Sequence, residues 1–570
     1  MKKIFYILLT LVLAAGCHFL DFDETSGTYT REDRYKTYSN IQKMLTNIYG
    51  YMPNQDIVDV GSAMRDCGCD DAEYGDPDAS IQRFNNGNWS PVATVDSKWD
   101  LYYGIRAANE FLESMKTVDL SMYEHMAGYQ EQMEHVRLFP YEARVLRAYY
   151  FFELARRYGD IAMPLTMLSI EEANSIGKTK FDDVIDFIAE ECDTCAKYLP
   201  DTYIGMLDDE YGRVTRGFAM GVKTKALLYA ASPLFNQNNE LEKWQKAAKA
   251  AKDIIDLAEN EALFELDPEE TCNTNNSPEV IFQIMRGTSL SFERKNFPVR
   301  FTQGDRGASM SETYPTQNLV DAFQTLAGYD VTLDETGWHS DDPAFDPTKP
   351  YEGRDPRFAR AILADGMAFK NSTIEVWEGG LDYQPTRQLH GTPTGYFLRR
   401  YIQEASDFTP EANVKTQHSW IVYRYAEVLL TYAEAVNEYL GGPDATDGTF
   451  DKSARWAINQ VRANAGMLPL DASITSQAAF RTALQREWRV EFAFEDHRFW
   501  DVRRWMLGAA TQTGIDGVRI ENNAGTKTYT RVKVEDRVWA YKMYLYPIPQ
   551  EDLFNNPNLA PQNPEWQGAN

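Results

Sequence analysis

The sequence predicts an all-α protein: a helical scaffold interrupted by a long loop-rich segment, with only minor β structure. Three observations predict it. Runs with a helical apolar period recur near both ends of the chain. Between them, residues 260–415 lose that period and fill with Gly, Pro, Asp and Asn. In the later helices small residues such as Ala426, Ala433 and Ala435 alternate with Tyr425, Leu429 and Tyr432. That spacing permits close helix pairs of tetratricopeptide type, although no clean 34-residue repeat is present. With 43% hydrophobic and 13% aromatic residues, the 570-residue chain can fill a large core and still leave rings for a surface.

In chain order, residues 1–16 have a basic start (Lys2, Lys3), a short apolar run and small residues before Cys17. This is the pattern of a secretory signal peptide and is too short for a membrane span, which needs about 20 apolar residues. The Ala14-Ala15-Gly16-Cys17 ending is similar to a bacterial lipobox, with Ala14 where Leu is usual, so Cys17 is expected to carry lipid in an outer membrane. Residues 17–36 are polar and form a tether. The N-terminal helical part, 37–259, is expected to hold helices at 41–52, 98–115, 136–158, 181–198, 215–231 and 244–258, and an aperiodic segment at 56–96. Aromatics point almost all round the 136–158 helix, which makes it a central helix. Gly159 is its expected stop. The insertion, 260–415, has a strand at 280–285 and an acidic stretch, Asp330 to Asp346, that reads as a solvated loop. The C-terminal part, 416–570, has helices at 420–439, 451–465 and 476–494, and ends in a tail rich in Pro and Asn.

Composition excludes several classes of function. The net charge of −28, from 57 basic and 85 acidic residues, opposes binding to nucleic acid or an anionic membrane. Cys17 aside, five cysteines remain, an odd number with no zinc pattern, so free buried thiols are expected. Nucleophile-elbow, zinc-protease, dinucleotide-binding and phosphate-loop motifs are all missing, and the seven histidines are scattered. No cofactor, metal or catalytic residue is therefore assigned. A glycosidase-type pair of acids stays open only because acids are so numerous.

Aromatics in the irregular segments carry more information. Tyr74, Trp89, Trp338 and Trp377 stand among Asn, Asp and Gly. Asn86 and Asn88 sit beside Trp89, and Arg65 lies in the same segment. Indoles stack on the C–H faces of sugar rings while amides and arginines take the hydroxyls, so these seven residues are the candidate ligand contacts. The competing reading packs each tryptophan under its own loop.

The densest mixture of rings and charges is 486–505, REWRVEFAFEDHRFWDVRRW. At 100° per residue, Glu487, Glu491 and Glu495 span an arc of about 80° in the middle of the apolar face. Carboxylates buried there need a metal or arginines. Arginines are plentiful and second metal ligands are not, so buried pairs with residues such as Arg424 and Arg462 are expected.

In order, these segments resemble the SusD/RagB family of lipoproteins. The resemblance rests on Cys17, Trp99 with Ala108-Asn109, Arg147-Ala148-Tyr149 with Tyr158-Gly159-Asp160, Arg424-Tyr425-Ala426-Glu427, Glu487 to Trp505, and Tyr546-Pro547-Ile548-Pro549 with Asn556-Pro557-Asn558. Trp488, Asp496 and Glu565-Trp566 depart from the usual pattern. The resemblance implies about four tetratricopeptide-like helix pairs and a ligand-bearing loop lobe. It also implies a SusC-like TonB-dependent transporter as partner and an oligosaccharide ligand, or a peptide in the RagB branch.

Overall fold

The computed structural model describes residues 33–53, 60–207, 210–268, 272, 277–302, 313–383 and 391–567. The signal peptide, Cys17 and most of the tether lie outside them. The principal helices are α1 (Tyr38–Tyr49), α2 (Leu101–Met115), α3 (Tyr129–Tyr158), α4 (Phe181–Ala196), α5 (Arg216–Ala231), α6 (Leu241–Glu261), α7 (Tyr425–Leu440), α8 (Ala454–Asn464), α9 (Gln477–Glu491) and α10 (Arg498–Arg504). Each helix from α2 to α7 packs on the next, while α1 packs on α2 and α3, and α7 receives α8 and α9. The stack therefore continues from α6 to α7 across the insertion.

Small residues set the helix spacing. A Cβ at Gly104 of α2 would lie 2.9 Å from the Tyr150 ring of α3. Ala247 and Ala251 of α6 and Ala426 and Ala433 of α7 are wholly buried. From Val145 to Tyr158 every residue of α3 is buried, as its all-round aromatics predict. Gly159 ends the helix at φ +71°, a conformation favoured by glycine. The charges in this stretch are paired: Arg156 and Arg157 each lie 2.7 Å from Glu153, and Arg157 also meets Asp96 at 3.0 Å. Such pairing is what makes buried arginines tolerable.

Among the described residues strands are few, and each sheet they form has two strands. The longer ones are β1 (Val280–Met285), β2 (Ser419–Arg424), β3 (Gly514–Asn523) and β4 (Thr526–Asp536). β1 occupies the expected residues. Residues 419–424 are a strand and not the start of a helix: β1 takes them up antiparallel, with Trp420 opposite Ile284, and α7 begins only at Tyr425. The β3–β4 hairpin lies where no element is expected, and it packs against the insertion through the short strands Thr332–Asp334 and Gly337–His339.

The helix expected over 476–494 also ends early, at Glu491. Phe494 and Asp496 take φ of +65° and +63°, and the turn they make starts α10 on a new axis. Glu495 therefore joins the other glutamates from a turn and not from the same helical face. The arginine pairing involves more partners than expected. Glu487 meets Arg462 at 2.9 Å and Arg357 at 2.5 Å. Glu491 meets Arg424 at 2.7 Å and Arg357 at 2.8 Å. Glu495 meets Arg424 at 2.9 Å and also pairs with Arg400. Arg357 and Arg400 come from the insertion, so the network clamps insertion to repeats. Burial alone would raise the Glu491 carboxyl, but Arg424 and Arg357 outweigh it and hold it down at about 2.

Cys67, Cys69, Cys192, Cys195 and Cys272 are free and buried. No helix of the described residues is long and apolar enough to cross a membrane, and no group of three or more His, Cys, Asp or Glu among them could hold a metal ion.

Candidate ligand-binding site

The loop from Glu375 to Tyr383 carries two partly exposed aromatics of the insertion, Trp377 and Tyr383. Ile374 and Val376 bury their side chains and anchor it. The loop then folds back on itself: the Gly380 amide donates to the Trp377 carbonyl at 2.7 Å, and the Asp382 amide to the Glu375 carbonyl at 2.9 Å. Glycine is required here, because a Cβ at Gly380 would lie 2.5 Å from the Glu375 oxygen and Gly379 sits at φ +93°.

Long-range partners hold the loop. Arg300 donates from Nε and Nη2 to the two Asp382 oxygens at 3.0 and 2.7 Å, and from Nη2 to the Thr373 carbonyl at 2.6 Å. This bidentate geometry fixes orientation as well as charge. On the other side the Glu378 amide donates to the Ile520 carbonyl of β3 at 2.8 Å, and Arg519 pairs with the Glu378 carboxylate at 2.6 Å. Trp377 and Tyr383 are left half-buried and Leu381 is 61% exposed. A partly exposed indole on a braced loop, flanked by arginines and carboxylates, can stack on an apolar ring face and hydrogen-bond its rim.

The other expected contacts fold differently, and four require correction. Trp89 is 2% exposed, packed edge-on against Phe84, Tyr546 and Trp566 at 4.8–5.2 Å between ring centres. Trp338 is buried against Tyr351 with Arg354 over its ring. Tyr74 is buried and donates to the Ser62 carbonyl at 3.4 Å. Arg65 is buried over Trp500, pairing with Asp96 at 3.2 Å and with Asp496. None of the four offers a ligand an open face. Asn86 and Asn88 are exposed, and the Asn86 side chain accepts from the Asn88 amide at 2.9 Å in a local turn.

Arg300, Asp382, Tyr383 and Arg519 were not expected. Nothing in the sequence links Arg300 to Asp382. Arg519, in contrast, lies on a hairpin whose alternating Thr526–Asp536 strand was a readable signal. A shallow groove of about 580 Å³ between α4, α5 and α6 lies elsewhere. Its Lys223 and Asp193 pair with each other at 2.7 Å, and its one ring, Phe450, is buried, so it provides no stacking platform.

A stack of helix pairs that presents a rigid loop lobe defines a binding scaffold. The chain belongs to the SusD family, whose model matches residues 278–566. Over 99% of both chains it is 25% identical to SusD-like protein P2 of Formosa agariphila. Among solved structures, a SusD-like protein of Bacteroides fragilis superposes with a TM-score of 0.74 at 26% identity, covering 94% of this chain and 98% of the other. A SusD-like carbohydrate binding protein from the same species gives 0.71 at 22% identity, covering 92% and 99%. A laminarin binding SusD-like protein gives 0.59 at 21% identity, covering 93% of this chain and the whole of the other.

Proposed function

We propose that this protein is a non-catalytic lipoprotein of the outer membrane, anchored through Cys17 and facing outward. It captures oligo- or polysaccharide and passes it to a SusC-like TonB-dependent transporter. The observation that carries the reading is the Trp377 loop, which Arg300, Asp382 and β3 hold in place with its indole partly exposed, on a chain of the SusD family. Family membership and the carbohydrate and laminarin binding named for two structural relatives support a glycan as ligand. The transporter as partner rests on membership of the family alone.

Affinity gel electrophoresis over a polysaccharide panel that includes laminarin tests it. At least one glycan should retard the protein, and Trp377→Ala should weaken that retention at least tenfold, about 1.4 kcal/mol. No retardation on any glycan, with peptide co-purifying in the native complex, would favour peptide capture instead. Sugar release from a retained glycan would overturn the non-catalytic part. The anchor is tested separately: Cys17→Ser should release the protein from the membrane fraction and abolish fatty-acid labelling.

A further inference from the structure

We propose a second ligand site, for a sugar ring that carries a carboxylate, on the open face of Tyr198 beside Arg137 of α3. The proposal rests on the glycan reading above but shares no residue with the Trp377 loop.

Two rings build the platform. Tyr141 of α3 is half-buried. Tyr198, just past the end of α4, lies flat on it: the ring centres are 4.4 Å apart and the planes 12° from parallel. The Tyr198 amide donates to the Cys195 carbonyl at 3.0 Å, and the next side chain, Leu199, is buried, so the turn that carries the ring is held. With one face against Tyr141, Tyr198 is still 56% exposed. Its other face is open to a ligand.

Guanidinium groups flank the pair. Residues three and four apart are neighbours on a helix surface, so Arg137 stands one turn before Tyr141 and Arg144 one turn after it. Arg144 is committed: it donates from Nε and Nη2 to the two Glu191 oxygens at 3.0 and 2.6 Å. Arg147 takes the same carboxylate at 3.1 Å. Arg137 is exposed and, among the described residues, has no ion pair or side-chain hydrogen bond. Glu134 precedes it by three residues without pairing with it, and lies about 10 Å along the axis from Tyr141. Asp201, three residues past Tyr198, is taken by Arg216 at 2.5 Å. Arg213 meets α3 at Glu142, about 100° round the helix from Tyr141 and so on another face. Three arginines against Glu191 and Glu134 leave a local surplus of positive charge in a chain whose total is −28.

A uronic-acid ring uses both features. Its C–H face covers the Tyr198 ring, and its carboxylate meets the flat fork of Arg137, which can take it through two N–H groups. A neutral sugar matches only the ring.

Saturation-transfer NMR on the full chain tests this with matched pairs at millimolar concentration: the methyl glycosides of glucuronic acid and glucose, and those of galacturonic acid and galactose. At least one acid should bind at least fivefold more tightly than its neutral partner in low salt. That preference should shrink in about 0.5 M salt, which screens an exposed ion pair. Tyr198→Ala, an exposed change outside the core, should weaken binding of the acid at least tenfold. Arg137→Gln should abolish the preference, and Trp377→Ala should leave it intact. No binding by either acid, equal binding of acid and neutral partner, or acid binding insensitive to Tyr198→Ala would each overturn the site. So would a preference that survives Arg137→Gln or is lost on Trp377→Ala. The two readings separate, because polysaccharide retention depends on Trp377 and uronide binding on Tyr198 and Arg137. Uronide binding by a protein that no polysaccharide retards would leave this site standing by itself.

Discussion

Trp89 and Trp377 stand in similar sequence, Asn-Gly-Asn-Trp in one case and Trp-Glu-Gly-Gly in the other, and they fold into opposite situations. Trp89 is sealed by rings that arrive from the C-terminal tail. The Tyr546 amide donates to the Arg157 carbonyl at 2.7 Å, Asn563 donates to the carbonyls of Tyr158 and Tyr546, and the Trp566 indole donates to the Leu545 carbonyl at 2.9 Å. The tail is thus strapped over the end of α3, and Trp89 becomes core. The Trp377 loop is held by Arg300 and β3 through Asp382, Thr373 and the Glu378 amide, and Trp377 stays partly exposed. Loop composition determines that a segment is irregular. Whether its ring is covered depends on what the rest of the chain brings to it.

This contrast between sealed and open regions can be broken by experiment. The largest effect is expected at Arg424→Ala, because Glu279, Glu491 and Glu495 all lose a partner. Breaking one buried pair costs about 3–5 kcal/mol; Arg357 still holds Glu491 and Arg400 still holds Glu495, but three carboxylates losing a partner at once should cost at least that much and leave little folded protein. Near-normal thermal unfolding would show that the network is not a clamp.

Next comes Trp89→Ala, which should destabilise by about 3–5 kcal/mol, the cost of removing a buried large aromatic. In chemical denaturation its midpoint should fall sharply while glycan retention persists in whatever remains folded. Lost binding with unchanged stability would return Trp89 to the ligand site.

Glu491→Gln should act more weakly and with a definite pH dependence. The Glu491 carboxyl is held at about 2 against an ordinary 4.5, so its contribution is present above about pH 4.5 and disappears as pH falls through about 2. The melting-temperature gap between wild type and Glu491→Gln should be widest at pH 7 and close over that acid interval. Glu279, whose carboxyl is pushed up by burial and by the neighbouring Glu491 despite Arg424, contributes in the opposite sense, and Glu491→Gln relieves part of that push. A gap that persists at pH 2 would assign the effect to shape and not to charge.

The smallest stability change belongs to Trp377→Ala, expected to cost under about 1 kcal/mol as a partly exposed loop substitution while removing glycan retention. A large loss of stability would make Trp377 another sealed ring.

How much was legible beforehand follows the range of the interactions. Helices α3, α5 and α6 were readable because their apolar residues recur within one segment, although α3 starts at Tyr129 and not at the expected 136. The all-round burial of α3 was readable too, since aromatics on every side leave no face for water. The pairing of Glu491 with Arg424 could be argued from the cost of burying charge. Arg357 and Arg400 as further partners could not, because their approach depends on how the insertion folds back. Residues 419–424 were misread because a short apolar run has no fate of its own until β1 lies beside it.

The sequence by itself determined a helical repeat scaffold, an irregular lobe, free thiols and a buried arginine–glutamate network, since local periodicity and desolvation leave few alternatives. Only the tertiary structure decided which aromatics stay open. The tail covers Trp89, Tyr351 packs on Trp338, and Trp377 stays partly exposed on a loop held by Arg300 and β3. For Trp89 the covering rings lie hundreds of residues away in sequence, and for Trp338 and the Trp377 loop the partners are nearer but still outside the local segment, so no local pattern reports them.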